Sequence, residues 1–171
     1  MSLSFVLDPD LTADLRDRVL ALWVDVTNAG GAVGFVAPVT PADVRPTAER
    51  AFAAVLDGAD HLLAGFDRDD LVALLFITDN GHHLKDHWRV LKRVMVAPGS
   101  QGRGYGTAIM RQAAEAGRKL GLAALAVTVR GGTGRERFYE RLGYREVGRL
   151  PGALRVAPGD DRDEIYLWRD L

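Results

Sequence analysis

The sequence predicts an α/β domain with a mixed sheet covered by helices, and three observations predict it. Two N-terminal segments repeat apolar residues at three and four, the spacing of amphipathic helices. The period then changes to two strand-like runs, 61–66 and 71–78, separated by the polar reversal Asp67-Arg68-Asp69-Asp70, which reads as a hairpin. A strand–helix–strand–helix–strand series follows, and together these elements make a mixed sheet with helices packed on it.

Taken in order, residues 4–7 form a short first strand closed by Asp8-Pro9. Leu11, Leu15, Val19, Leu22, Trp23 and Val26 mark the apolar stripe of a first helix, which Asn28, Gly30 and Gly31 end. Thr40-Pro41-x-Asp43 reads as a second helix start, with a capping hydroxyl and proline at the first helical position. Val44, Ala48, Ala51, Phe52 and Val55 carry that helix to about Asp57. After the hairpin, a strand over 88–96 ends at Pro98-Gly99, and a glycine-rich loop leads into a helix over 107–120. A strand over 123–129, a shorter helix over 134–142, and strands over 144–148 and 164–168 around a long proline-glycine loop complete the chain.

The 171 residues suit a single domain spanning 1–171, with no composition break and no internal repeat. With 47% hydrophobic and 26% charged residues the chain is expected to fold rather than stay disordered. It has no apolar run of eighteen, so no membrane partner is expected. Residues 1–10 carry aspartates and no basic flank, which argues against a secretory signal. The absence of cysteine excludes disulfides, thiolate metal sites and a covalent thiol intermediate, and is compatible with the expected cytoplasmic location. The net charge of −1 lacks the basic excess that nucleic-acid binding needs, leaving Arg89, Lys92 and Arg93 as at most a local patch.

The most informative segment runs from Val94 to Gly106. A strand delivers the chain to a turn, and Gly102, Gly104 and Gly106 follow within five residues as a helix opens. Glycines let a backbone approach a ligand closely, and the unpaired amides of a helix N-terminus favour a bound anion. Arg103 either adds a charge contact or faces solvent, and the glycines alone are also compatible with a plain tight loop. No Gly-x-x-x-x-Gly-Lys run is present, which sets aside a P-loop. The glycine spacing also differs from the Gly-x-Gly-x-x-Gly of dinucleotide sites.

Gln101-x-x-Gly104-x-Gly106 resembles the Gln/Arg-x-x-Gly-x-Gly/Ala signature of the GNAT acyltransferase superfamily. Phe138-Tyr139-Glu140-Arg141-Leu142-Gly143-Tyr144 is similar to that family's late Phe-Tyr element. The run from Arg149 to Glu164 is similar to a bacterial subgroup that includes antibiotic- and tabtoxin-resistance acetyltransferases. The resemblance implies a mostly antiparallel mixed sheet flanked by helices, with acetyl-CoA as the cofactor. It implies that the amides of Gln101, Gly102, Arg103, Gly104, Tyr105 and Gly106 bind its pyrophosphate. It further implies that Val94 and Val96 flank the pantetheine and that Tyr139 sits near the thioester sulfur. Many relatives have an asparagine soon after the fifth core strand. Here Arg130-Gly131-Gly132-Thr133-Gly134 stands in that place, to bind cofactor through backbone groups or to position the acceptor. By analogy with related domains, a homodimer is expected.

Acetyl transfer to an amine needs a neutral nucleophile, and for an alkyl amine at pH 7 that requirement amounts to roughly 4 kcal/mol. Tyr139 is the candidate general acid. His82 and His83, near His87, Asp79 and Asp86, are the candidate bases, since histidine titrates in the right range. Adjacent histidines without a helical His-x-x-x-His pair do not make a metal site, and no metal is expected. Trp23 and Asp25 on the first helix and Asp79 after a strand are candidates for lining an acceptor pocket. The expected acceptor is a small-molecule amine. A protein terminus or lysine as acceptor, and a non-catalytic acyl-CoA sensor, are the alternatives.

Overall fold

The computed structural model describes residues 3–171; residues 1–2 of the N-terminal stretch considered above for a leader lie outside them. Strand β1 (Leu3–Leu7) is followed by helices α1 (Ala13–Asn28) and α2 (Pro41–Leu56). The Thr12 hydroxyl caps α1 by accepting from the Leu15 N–H at 3.2 Å. Pro41 opens α2, where its missing N–H would have been unpaired in any case. The Asp43 carboxylate turns back to accept from the Thr40 N–H at 2.8 Å and from its hydroxyl at 2.7 Å. Those bonds hold the Asp43 pKa below its ordinary value, and the negative charge sits where the helix dipole favours it.

Strands β2 (His61–Asp67), β3 (Asp70–Thr78) and β4 (Trp88–Val96) form an antiparallel meander. Helix α3 (Tyr105–Lys119) then crosses over to β5 (Ala124–Arg130), which pairs parallel with β4, as a crossover connection allows. Helix α4 (Glu136–Glu140) and the hairpin of β6 (Arg145–Ala157) and β7 (Asp160–Asp170) complete the fold. The seven strands form one sheet in the order β1-β2-β3-β4-β5-β7-β6, antiparallel except at β4–β5. Among the described residues no helix is long and apolar enough to cross a membrane.

Strand β3 is buried on both faces because helices cover both sides of the sheet. Leu74 and Phe76 pack with Val19, Trp23, Phe52 and Met95 on the α1–α2 side. Leu75 and Ile77 pack with Ile109, Met110, Leu125 and Leu167 on the α3 side. Full burial of one such side chain stabilises the fold by about 1.5–3 kcal/mol, so the two layers fix the helices against the sheet.

Two expectations change. The proline-glycine stretch between 148 and 164 is not a loop but most of a long hairpin, turned at Pro158-Gly159. Register shifts between Glu146 and Gly148, Leu150 and Leu154, and Arg155 and Ala157 absorb Pro151 and Gly152. An edge strand tolerates such bulges because one side of it needs no ladder partner. The other difference lies in helix ends: α3 begins two residues before 107, and α4 is shorter than 134–142.

Candidate active site

The site begins where two parallel strands part. Strands β4 and β5 pair from Trp88↔Ala124 to Leu91↔Val127, and beyond that point both continue without pairing each other. On its other edge β4 bulges: Leu74 pairs with Met95 and Phe76 with Lys92, so Arg93 and Val94 together stand opposite Leu75. Arg93 takes a left-handed φ of +56°, a conformation that costs a non-glycine residue about 1–2 kcal/mol. The bulge breaks the strand's in–out alternation, and Lys92, Arg93 and Val94 all line one cleft.

The loop after β4 is built to leave amides free. Pro98–Ser100 form one 3-10 turn, and the Gln101 side-chain amide donates back to the Val96 carbonyl at 3.3 Å. Gly102 (φ +77°) and Gly104 (φ +83°) take conformations that suit glycine, and Gly104 stands at the N-cap of α3. Among the described residues the backbone N–H groups of 102–107 donate to no protein acceptor. They converge on a cleft of about 360 Å³, walled by Val94 and Val96 of β4, Phe138 and Tyr139 of α4, and Val33 of the α1–α2 connection. The Tyr105 hydroxyl donates to the Asp67 carboxylate at 2.6 Å.

A second cleft of about 600 Å³ lies between the α1–α2 connection, the parted strands and the β6–β7 hairpin. Val33, Val94, Arg135 and Tyr139 line both clefts and so mark where they meet. Tyr139 is buried, edge-on to Phe138 and Tyr144 at ring-centroid distances of 5.0 and 5.8 Å. Burial pushes its phenol pKa up to about 12, opposed by the Arg135 charge, so the hydroxyl remains a hydrogen-bond donor at any physiological pH.

The sequence model of the Acetyltransferase (GNAT) family matches residues 34–144, about two thirds of the chain and all of the bulge, amide loop and Tyr139. The chain belongs to the acetyltransferase (GNAT) family. Solved structures show the same fold. A ribosomal-protein-alanine N-acetyltransferase from Brucella melitensis is 17% identical, with a TM-score of 0.78 and 100% of both chains covered. The protein yncA from Salmonella typhimurium, solved with its cofactor acetyl-CoA, is 12% identical, with a TM-score of 0.78, covering 100% of this chain and 95% of that one. A spermidine N-acetyltransferase chimera of Vibrio cholerae SpeG and hSSAT is 16% identical, with a TM-score of 0.78, covering 99% and 96%. The family match stops at residue 144 and so gives no support to the expected likeness of the run 149–164 to resistance enzymes.

Within this GNAT fold the candidate residues separate into two groups. Val94, Val96, Gln101, Gly102, Gly104, Tyr105, Gly106 and Tyr139 line the amide-walled cleft, while Arg103 is exposed outside its lining. His82 and His83 stack on each other at 4.9 Å in an exposed turn before β4 and line neither cleft. The strand between that turn and Val94 is about 20 Å long at 3.3 Å per residue, so they stand at the wrong end of β4 to reach it. Asp79 is engaged by Arg89 at 2.8 Å and by the Gly81 N–H at 2.8 Å, and lies off both clefts. Asp25 is exposed on α1, also off both. Trp23 is fully buried, donating to the Val33 carbonyl at 2.9 Å under the Arg93 guanidinium; it lines neither of these clefts but a third, of about 290 Å³, that Lys92 and Arg93 share.

Of the side chains that line the second cleft, sequence reasoning named Val94 and Tyr139, took Lys92 and Arg93 only as a local basic patch, and passed over Arg135 and Glu164. One signal was available. The adjacent cations Lys92 and Arg93, in a run 88–96 whose other residues are apolar save Arg89, are what a bulge would accommodate.

Proposed function

We propose that this protein transfers the acetyl group of acetyl-CoA to a primary amine of a small molecule, both held in one ternary complex. The observation that carries the reading is the row of unpartnered amides at 102–107, opening into a cleft that joins a second one at Tyr139. Bound there, acetyl-CoA supplies an activated thioester. A C–N bond forms as the C–S bond breaks, and the proton lost by the amine is balanced by the one gained by the thiolate.

The chain's own groups have separable tasks in this reading. The amides of 102–107 hold the pyrophosphate, each charge-assisted bond contributing about 1.5–3 kcal/mol. The exposed edge of β4 at Val94 and Val96 pairs with the pantetheine amides, and the Val94 N–H polarises the acetyl carbonyl. Tyr139 faces the sulfur. A phenol at about pKa 12 lies some 3.5 units above an ordinary thiol, about 5 kcal/mol uphill for full transfer. Tyr139 therefore stabilises the leaving sulfur chiefly as a hydrogen-bond donor, and the amine's proton completes the thiol. The second cleft, about 600 Å³ between the α1–α2 connection and the β6–β7 hairpin, is of a size that takes a small-molecule acceptor.

Two measurements on one preparation test the reading: calorimetric titration with acetyl-CoA, and release of free thiol from acetyl-CoA across a library of small amines. Saturable binding with amine-dependent thiol release supports it. Absence of binding, or binding without turnover on any amine, overturns it, and the second outcome supports an acyl-CoA sensor instead.

A further inference from the structure

The second cleft carries an excess of positive charge that the protein does not neutralise. Lys92, Arg93, Arg130, Arg135 and Arg155 line it, and Glu164 is the one carboxylate among its lining residues. Arg155 is already satisfied, paired with Asp161 through two bonds of 2.7 and 2.8 Å. The other four have no carboxylate partner among the described residues.

Two of these cations are set into the wall. The half-buried Arg93 guanidinium lies 5.4 Å from the centre of the Trp23 ring and against Gly34, with no hydrogen-bond partner among the described residues, and burial lowers its pKa. Arg130 donates one Nη to the Phe35 carbonyl at 3.3 Å, while its Nε is buried with no hydrogen-bond partner among the described residues. Leaving a guanidinium desolvated and unpaired is unfavourable for the fold alone, and both residues sit at the positions where β4 and β5 have parted. Glu164 is the cross-strand neighbour of Arg130, yet no ion pair joins them. Its Oε2 accepts from the Tyr166 hydroxyl at 2.9 Å, which orients the carboxylate.

Resting on the transferase reading above, we propose that the acceptor is an amine that also bears an anionic group, a carboxylate or a phosphonate. Its acid is received by Arg93 and Arg130, and its amine by Glu164. An acid group supplies the charge that the two guanidinium groups lack. Glu164 attracts the ammonium form and passes one of its protons to solvent as the neutral amine attacks beside Tyr139, which lines the same cleft; the second N–H proton leaves on the thiol. Polycationic amines meet four like charges on entry and are disfavoured, since like-charge juxtaposition suppresses wrong partners.

The experiment uses matched amines that differ only in the acid. L-methionine is compared with L-methioninamide, and 2-aminoethylphosphonate with ethanolamine, with spermidine as the polycation. Thiol release gives kcat/KM for each, on the wild type and on Arg93→Gln, Arg130→Gln and Glu164→Gln. Methioninamide has the less basic amine, so a preference for methionine runs against intrinsic reactivity. Expected are a preference of at least about tenfold for the acid-bearing member of one pair, its loss in both arginine variants, and retained acetyl-CoA affinity throughout. The methionine and phosphonate arms identify which acid is read. Turnover of the neutral members or of spermidine equal to or better than the acids overturns the inference while the transferase reading stands. If no amine is turned over, the transferase reading fails, and calorimetric titration of the same pairs into CoA-loaded protein decides the inference by itself. Tighter binding of the acids that is lost in Arg93→Gln supports it; equal binding, or none, overturns it.

Discussion

The hydroxyl of Tyr105, in the first turn of α3, donates to the Asp67 carboxylate of the β2–β3 hairpin at 2.6 Å. The bond ties the start of the amide-bearing helix to a part of the sheet remote in sequence, and the carboxylate raises the phenol's pKa. It therefore fixes where the amides of 102–107 point. Tyr105→Phe is expected to keep the ring's packing, lower the melting temperature by a few degrees, and weaken acetyl-CoA binding severalfold. Thermal denaturation and calorimetry on the same sample check this. An unchanged affinity shows that the loop holds its shape without the bond.

Gly104 has a φ of +83°, and a β-carbon built on it meets nothing within 4 Å. A larger residue there is opposed by backbone conformation alone, at about 1–2 kcal/mol. Relieving that strain rotates the N-cap of α3 and turns amides out of the cleft. Gly104→Ala is expected to raise the acetyl-CoA Kd at least about tenfold, the equivalent of 1.4 kcal/mol. Titration of a variant with wild-type circular dichroism is the measurement, and wild-type affinity would count against the amide cradle.

Tyr139 acts, in the proposed reading, on the departing sulfur rather than on binding. Tyr139→Phe is expected to lower kcat by about 10–100-fold and to leave the acetyl-CoA Kd within about twofold. Initial-rate kinetics beside direct titration separate the two effects. A variant with unchanged kcat removes Tyr139 from the chemistry.

The amide loop is legible in the sequence because everything it needs is local: a strand, three glycines and a helix start within a dozen residues. The acceptor cleft is not, because its cations come from β4, from the end of β5 and from the residue before α4, and only the sheet register brings Arg93, Arg130 and Arg135 together. His82 and His83 adjoin β4 in sequence, but adjacency does not say which end of a strand faces the site. Alternation fails for the same reason at Lys92 and Arg93, where the bulge puts two neighbours on one cleft. The β6–β7 hairpin is hidden by Pro151 and Gly152, residues that read as a loop until bulges on an edge strand absorb them.

Trp23 shapes the amide-walled cleft and the second cleft without lining either. Its indole N–H holds the Val33 carbonyl at 2.9 Å, and Val33 walls both clefts. Trp23→Phe leaves that carbonyl unpaired in a buried place, a loss of about 1–3 kcal/mol, and removes the ring face under Arg93. The expected result is lower stability in urea and a raised KM for the acceptor. Stability equal to wild type would show that the connection is held by other contacts.

The burial of Tyr139 also sets a stability limit at high pH. In the unfolded chain a tyrosine loses its proton near pH 10, whereas the folded Tyr139 holds it to about 12. Above pH 10 the unfolded state binds fewer protons than the folded one, so stability falls as pH rises. No contribution from this group is lost below that range. Between pH 9 and 11 its share of the loss is about 1.4 kcal/mol. Tyr144 is shifted the same way by burial and adds a loss of the same sign. Denaturant unfolding at pH 9 and 11 is therefore expected to show a smaller drop for Tyr139→Phe than for the wild type, because phenylalanine cannot ionise in either state. Equal drops would mean that the Tyr139 hydroxyl is hydrated in the folded protein and ionises near its ordinary value, which would also bring it closer to matching a thiol as a true proton donor.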